Sequence, residues 1–117
     1  MTSSSAFDGP PGSVDVQLAP DHVLVRLAGE VDACLGPDLV RCVDEALAVR
    51  LPVVVEAARI TFMDSTGLGF LARLASRSGE RRITVTDPPE VVRHLVHRAR
   101  LEQIIDFRPG VPRGPGA

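Results

Sequence analysis

Residues 52–75 read PVVVEAARITFMDSTGLGFLARLA, an apolar run, a connecting segment and then a periodic segment that contains two glycines. Val53–Val55 are apolar without alternation, which is typical of a central strand covered by helices on both faces. Residues 56–63 are predicted to form a loop, and Phe62 and Met63 are interpreted as core residues beneath it. A helix is expected to begin at Asp64 or Ser65, because apolar residues follow at helical spacing: Leu68, Leu71, Leu74 and Ala75. A buried strand that leads into a helix is the building unit of an α/β domain.

The segment before this unit predicts a hairpin and a helix. Val14–Leu18 alternates between apolar and polar residues, and Val23–Ala28 is apolar and β-branched. The pair Pro20-Asp21 lies between them and favours a turn, so the two segments predict antiparallel strands. Gly36-Pro37-Asp38 then places a proline and an acid where helices begin.

The segment after residue 75 predicts a further strand and helix. Gly79 is expected to close the preceding helix, and Arg82–Thr86 alternates as a strand does. Asp87-Pro88-Pro89-Glu90 predicts a helix capped by the aspartate. Leu101–Phe107 fits a helix or a strand equally well. The order ββαβαβα predicts an α/β fold with a mixed β-sheet and helices packed on it.

Length and composition predict one domain with a core of its own. The chain has 117 residues, of which 44% are hydrophobic and 24% charged. The domain is expected at residues 13–108, and the tails at 1–12 and 109–117, rich in serine, glycine and proline, are predicted to be disordered. No apolar run reaches the length of a membrane span, and the N-terminus lacks a secretion signal. The expected location is therefore the cytoplasm, without a membrane partner.

Charge and residue types argue against several kinds of site. All 13 basic residues are arginine, the net charge is −2, and there is no Trp or Tyr, so direct nucleic-acid binding is not expected. No cofactor is expected, because Gly67 and Gly69 lack the lysine of a phosphate-binding loop. No metal site is expected either, and His94 and His97 are interpreted as exposed polar residues of a helix. Cys34 and Cys42 are interpreted as small core residues.

The segment 64–69 has the chemistry of an exposed helix start. Backbone N–H groups at a helix N-terminus have no partner within the helix, and the helix dipole is positive there. Asp64 or Ser65 is able to cap such a helix, and Ser65 is expected to face solvent at its first turn. From the residues alone, an ordinary capped helix remains the simplest interpretation.

Three segments together resemble a known family. Residues 62–71, Gly29-Glu30-Val31-Asp32 and Val53–Val55 are similar to the STAS domain of bacterial anti-anti-sigma factors, which are anti-sigma factor antagonists. The resemblance extends over about Val14 to Phe107. It implies a single-domain STAS-like fold.

The resemblance also implies a function. Ser65 would be phosphorylated by an anti-sigma factor that is itself a serine kinase, and a PP2C-type phosphatase would restore it. The unphosphorylated form would bind the anti-sigma factor and free a sigma factor, thereby controlling transcription in a stress response. Thr66 carries a hydroxyl as well, so it is an alternative acceptor. The residues that match the family's partner-binding surface are Asp32, Asp64, Thr66, Gly67, Leu68 and Gly69.

The sequence also bears on two other functions. An enzyme is not expected and no catalytic residue is assigned, because the chain lacks a Gly-x-Ser-x-Gly elbow and neighbouring residues do not make a triad. A STAS subunit that is never phosphorylated and acts as a scaffold in a larger signalling or transport complex remains open, since fold does not fix function. The sequence does not decide the oligomeric state.

Overall fold

The computed structural model describes residues 11–79 and 82–110 as alternating strands and helices. The order is ββαβαβαβ, so the segment Leu101–Phe107, for which the sequence left helix and strand open, contributes a strand. The elements are β1 (Ser13–Leu18), β2 (Val23–Val31), a 3-10 helix (Ala33–Leu35), α1 (Gly36–Leu47), β3 (Val53–Met63), α2 (Ser65–Arg77), β4 (Ile83–Thr86), α3 (Glu90–Arg98) and β5 (Ile105–Arg108).

The five strands form one mixed sheet in the order β1-β2-β3-β4-β5. The hairpin of β1 and β2 is antiparallel, as predicted. The pairs β2–β3, β3–β4 and β4–β5 are parallel, and a helix connects the two strands of each pair. The carboxyl ends of these parallel strands therefore lie at one edge of the sheet, which is where α/β folds place their functional residues.

All three helices pack on one face of the sheet, and not on both faces as the sequence predicted for the central strand. Along β2 the side chains alternate between buried and half-buried, and buried residues of all three helices join the strands in one cluster. Val54 is half-buried beside Leu24 on the other face, so the predicted helix cover on both faces of the central strand was wrong. Valine favours strands through its β-branch whether or not its face is covered.

The predicted loop at 56–63 was also wrong, because β3 continues through it to Met63. Two register shifts in the pairing with β2 give β3 extra residues, and its buried positions become Ala57, Ile60 and Met63. That spacing of three hides the period of two by which a strand is recognised. Gly29 at the second shift has φ +72°, a conformation that favours glycine.

Helix ends agree with the sequence at α1 and α2 but not at α3. Pro37 lies in the first turn of α1, and Gly79 follows α2 with φ +68°. Asp87 does not cap α3: its backbone has φ +49°, and Pro89 occupies the cap position without a side-chain hydrogen bond. Two prolines in succession keep the chain extended after Asp87, so its carboxylate is too far from the first turn to cap it.

Most of the two predicted tails lies outside the described residues. Of residues 1–12, Pro11 and Gly12 are described, and Pro11 makes an isolated bridge with Glu30. A Cβ on Gly12 would lie 1.9 Å from the carbonyl oxygen of Glu30. The chain thus passes close to the end of β2 before β1 begins.

Arg82 holds the start of β4 to the turn before β5, and its loss is expected to destabilise the fold. Its guanidinium donates to Asp106 Oδ1 at 2.8 Å and to the carbonyls of Glu102 at 2.7 Å, Ile105 at 3.1 Å and Gln103. We expect Arg82→Ala to lower the free energy of unfolding by about 1–2 kcal/mol, since the side chain is partly exposed. Urea unfolding measures this loss.

Arg73→Ala is the matched control, because Arg73 is exposed on α2 and no side-chain hydrogen bond or ion pair is found for it among the described residues. It should change the free energy of unfolding by no more than about 0.5 kcal/mol. Equal unfolding midpoints for the two variants would show that the Arg82 bonds do not stabilise the fold.

Candidate functional site

Two aspartates lie side by side at the carboxyl edge of the sheet. Val31 and Met63 are in register at the ends of β2 and β3, and Asp32 and Asp64 follow them directly. The backbone N–H of Asp64 donates to the carbonyl of Val31 at 3.3 Å, which ties the two strand ends together. The fold thus brings together the two segments, 29–32 and 62–71, that lie about thirty residues apart in the sequence.

Each aspartate caps the helix that follows it. Asp64 Oδ1 accepts from the backbone N–H of Thr66 at 2.8 Å, and Asp32 Oδ1 accepts from the backbone N–H of Cys34 at 3.1 Å. The N–H of Leu68 donates to the carbonyl of Asp64 at 3.1 Å, which is the first hydrogen bond of α2. Asp64 rather than Ser65 is therefore the cap, and Ser65 is the first residue of the helix.

The two candidate acceptors differ in exposure. Ser65 is exposed, and the cap of α2 is the side chain of Asp64 and not that of Ser65. Thr66 is half-buried, and a Cβ on Gly36 at the start of α1 would lie 4.0 Å from its methyl carbon. The N-termini of α1 and α2 are therefore neighbours, and Thr66 faces the contact between them.

The remaining residues of the predicted partner surface occupy different depths. Gly67 is buried: a Cβ there would lie 2.4 Å from Met63 Cγ and 2.9 Å from Val31 Cγ1. Leu68 is half-buried and packs against the core. Gly69 is half-buried, and a Cβ there would meet nothing within 4 Å. Gly67 thus lets α2 approach the strand ends, whereas Leu68 and Gly69 reach the surface.

Sequence reasoning placed Phe62 in the core, and this was wrong. Met63 is buried, but Phe62 is 46% exposed, because successive side chains of a strand point to opposite faces. Phe62 lies in register with Glu30 on the face of the sheet that carries no helix. The exposure of Phe62 would have been predicted if β3 had been extended through residues 56–63. The irregular spacing of the buried residues in that segment concealed the strand.

The two cysteines lie in different environments, and only one agrees with its interpretation as a core residue. Cys42 is buried in α1, and burial raises the pKa of its thiol to about 12, with smaller contributions from Glu45 and Asp15. Cys34 is exposed, next to the Asp32 cap. A cysteine side chain is small enough to lie in the core or at the surface, so residue type alone does not separate the buried Cys42 from the exposed Cys34.

We therefore expect one fast-reacting thiol in the native protein. Iodoacetamide at pH 8 should add a single group to the native chain and two groups in urea, because only an accessible thiolate reacts. Intact-mass measurement counts the groups. Cys34→Ser should remove the native adduct, and a native adduct that survives in Cys34→Ser would contradict the assignment.

The histidines form no metal site with other described residues. His94 and His97 are both exposed, and no group of three or more potential ligands is found within residues 11–79 and 82–110. His97 Nδ1 pairs with Glu102, a residue of the turn after α3. This hydrogen bond lowers the pKa of the Glu102 carboxyl.

Comparison with known proteins places the chain in a family. The model of the family described as "Mlab, STAS domain" matches residues 14–106, so the chain belongs to the STAS-domain family. This agrees with the mixed sheet, with the helix that begins after β3, and with the resemblance noted from the sequence.

Two solved structures share the fold. An anti-sigma factor antagonist from Mycobacterium paratuberculosis has a TM-score of 0.77 at 21% identity, over 90% of this chain and 92% of that chain. The anti-sigma factor antagonist SpoIIAA in its unphosphorylated form has a TM-score of 0.65 at 20% identity, over 81% of this chain and 87% of that chain. The fold of this chain is therefore that of anti-sigma factor antagonists.

Within the part of the chain that the structure describes, no helix has the length and apolar character to cross a membrane.

Proposed function

We propose that the protein is an anti-sigma factor antagonist whose partner binding is switched by phosphorylation of Ser65. In its unphosphorylated form it binds an anti-sigma factor with serine-kinase activity in the cytoplasm and so releases a sigma factor for transcription. The observation that carries this proposal is the exposed Ser65 hydroxyl on the first residue of a helix whose cap is fixed to the neighbouring strand.

Exposure and packing favour Ser65 over Thr66 as the acceptor. A kinase has to reach the hydroxyl, and Ser65 is exposed whereas Thr66 is half-buried against the start of α1. The backbone of Thr66 is also held by the Asp64 carboxylate. Phosphate on Thr66 would have to displace the contact between the two helix starts, while phosphate on Ser65 would extend into solvent.

The charge of the phosphate provides the switch. Phosphorylation replaces a neutral hydroxyl by about −1.5 to −2 charges. The N-terminus of α2 offsets part of the cost within the chain, by about 0.3–1 kcal/mol, so the fold is retained. A partner packed on Ser65, Leu68 and Gly69 would have to remove water from the phosphate or oppose it with its own charge. Binding is therefore blocked without a change of conformation.

The proposed surface combines polar caps with one buried glycine. Asp32 and Asp64 border the acceptor as helix caps, Leu68 offers apolar area, and Gly69 leaves room for a close approach of the partner. Gly67 acts from beneath by allowing α2 to pack on Met63. A PP2C-type phosphatase completes the cycle by removing the phosphate, and the chain itself supplies a binding surface and performs no catalysis.

Phosphorylation by the captured partner tests the proposal. The full chain is immobilised, the proteins it retains from the source cell are identified, and the retained serine kinase is purified and incubated with the chain and Mg²⁺–ATP. Intact-mass measurement should find one phosphate on the wild type and on Thr66→Val but none on Ser65→Ala. A phosphate that persists in Ser65→Ala, or capture of no serine kinase, would contradict the proposal.

The family match favours one alternative. The matching family model is described as "Mlab, STAS domain" and not as an anti-sigma factor antagonist, which keeps a non-phosphorylated STAS scaffold subunit of a larger signalling or transport complex as a second candidate. The same experiment separates the two. A scaffold subunit would retain its complex equally well as wild type and as Ser65→Asp, and would acquire no phosphate.

A further inference from the structure

A concave surface separate from the Ser65 surface lies at the β5 side of the sheet. It is a shallow depression of about 540 Å³, and its lining comes from the turn after β4, from α3 and from the end of β5. None of the residues assigned to the Ser65 surface contributes to it. The lining residues are Asp87, Pro88, Arg93, Phe107, Arg108 and Pro109.

Two arginines in this depression have no carboxylate partner among residues 11–79 and 82–110. Arg93 lies over the Phe107 ring, with its guanidinium carbon 6.0 Å from the ring centroid. Neither Arg93 nor Arg108 forms an ion pair with any described residue. By contrast, four other arginines do pair with a carboxylate: Arg26, Arg41, Arg77 and Arg82.

The acidic groups near the depression form no ion pair with its two arginines within the described part of the chain. Asp87 approaches Gly110, where a Cβ would lie 2.2 Å from Asp87 Oδ2, so its carboxylate occupies the rim next to the backbone. Glu90 and Glu102 lie on the adjoining surface, and the carboxylate of Glu102 is paired with His97. The lining thus carries two positive charges, on Arg93 and Arg108, against one negative charge, on Asp87, and Arg93 lies over the Phe107 ring.

We infer that this depression binds an acidic segment of a partner protein, in which a carboxylate lies next to an apolar side chain. The carboxylate would accept hydrogen bonds from Arg93 and Arg108, a geometry for which the planar guanidinium is suited. The apolar side chain would cover Phe107 and the two prolines. Arginine and aromatic residues are the side chains that most often dominate protein interfaces.

The shape of the depression favours a protein segment over a free small molecule. Small-molecule sites enclose most of the surface of their ligand, whereas this depression is open to solvent. An extended or turning peptide needs only a shallow surface with a charged and an apolar contact. The inference does not depend on phosphorylation of Ser65, and it can be tested without the anti-sigma factor or a kinase.

A peptide titration tests the inference. The ¹⁵N-labelled full chain is titrated with acetyl-Ser-Asp-Asp-Phe-Leu-Ser-amide and, separately, with the same peptide in which both aspartates are asparagine. The acidic peptide should shift the amide signals of residues around the depression with an affinity at least about tenfold higher than that of the asparagine peptide. The double variant Arg93→Gln/Arg108→Gln should reduce the affinity for the acidic peptide by a similar factor.

Arg98→Gln is the matched control, since Arg98 is exposed on the same helix but does not line the depression. It should leave the affinity unchanged. Equal binding of the two peptides, unchanged binding by the double variant, or no shift at these residues would overturn the inference.

Inorganic phosphate is titrated in parallel, and shifts at the same residues from phosphate without binding of the acidic peptide would assign a small-anion site instead. The comparison of the two peptides on the wild type remains decisive if the double variant does not fold.

Discussion

Replacing Ser65 with Asp is expected to weaken binding of the anti-sigma factor about 100-fold, while Ser65→Ala retains the affinity of the wild type. One added charge about 6 Å from a like charge, at an effective dielectric constant near 20, costs about 3 kcal/mol. The exposed position of Ser65 means that this cost arises at the interface and not inside the chain. Calorimetric titration with the purified partner measures both affinities.

Thermal unfolding of the same variants separates loss of binding from loss of structure. Asp at the first position of a helix interacts favourably with the helix dipole, so Ser65→Asp should unfold at or above the temperature of the wild type. Thr66→Asp provides a positional control, because it introduces the same charge at a half-buried site and should lower stability. Comparable partner affinity of Ser65→Asp and Ser65→Ala would refute the switch.

Local signals in the sequence predicted those parts of the fold that local interactions determine. The hairpin, the start of α1 at Gly36-Pro37 and the end of α2 near Gly79 each depend on a few neighbouring residues with defined backbone preferences. For the cap of α2 the sequence offered Asp64 or Ser65, and the structure assigns it to Asp64, whose carboxylate accepts from the N–H of Thr66 two residues away. These features follow from spacing and residue type, and the structure confirms them.

The features that sequence reasoning missed depend on contacts between distant segments. The extension of β3 to Met63 is set by its pairing with β2, and the two register shifts alter the spacing of its buried residues. Because of that pairing Phe62 faces outward. The sheet face without helices likewise depends on the side on which each crossover passes, which no single segment encodes.

In the candidate site, too, features within one segment were predictable from the sequence, whereas contacts between distant segments were not. The motif at 64–69 lies in one segment, whereas the acceptor role of Ser65 and the proximity of Asp32 to Asp64 were both implications of the family resemblance. The hydrogen bond between Asp64 and Val31 accounts for that proximity physically. The depression around Phe107 was not foreseen, since it combines a turn, a helix and a strand whose type was undecided.

A large effect on stability is also expected at Gly67, two residues after Ser65. A methyl group there would lie 2.4 Å from Met63 Cγ, 2.7 Å from Met63 Sδ and 2.9 Å from Val31 Cγ1. Both neighbours are buried, so they have little room to move. We expect Gly67→Ala to lower the free energy of unfolding by about 1–2 kcal/mol, because overpacking outweighs the gain in helix propensity.

Gly69→Ala is the matched substitution in the same helix, and it is expected to act in the opposite direction. A Cβ at Gly69 meets nothing within 4 Å, so the gain in helix propensity of about 0.5–1 kcal/mol should stabilise the fold. Urea unfolding measures both variants. Removing the clash with Met63→Ala should also reduce the cost of Gly67→Ala in a double-mutant cycle, since the two side chains are in contact. Equal stability of Gly67→Ala and Gly69→Ala would mean that close packing of α2 on the strand ends does not fix the position of Ser65.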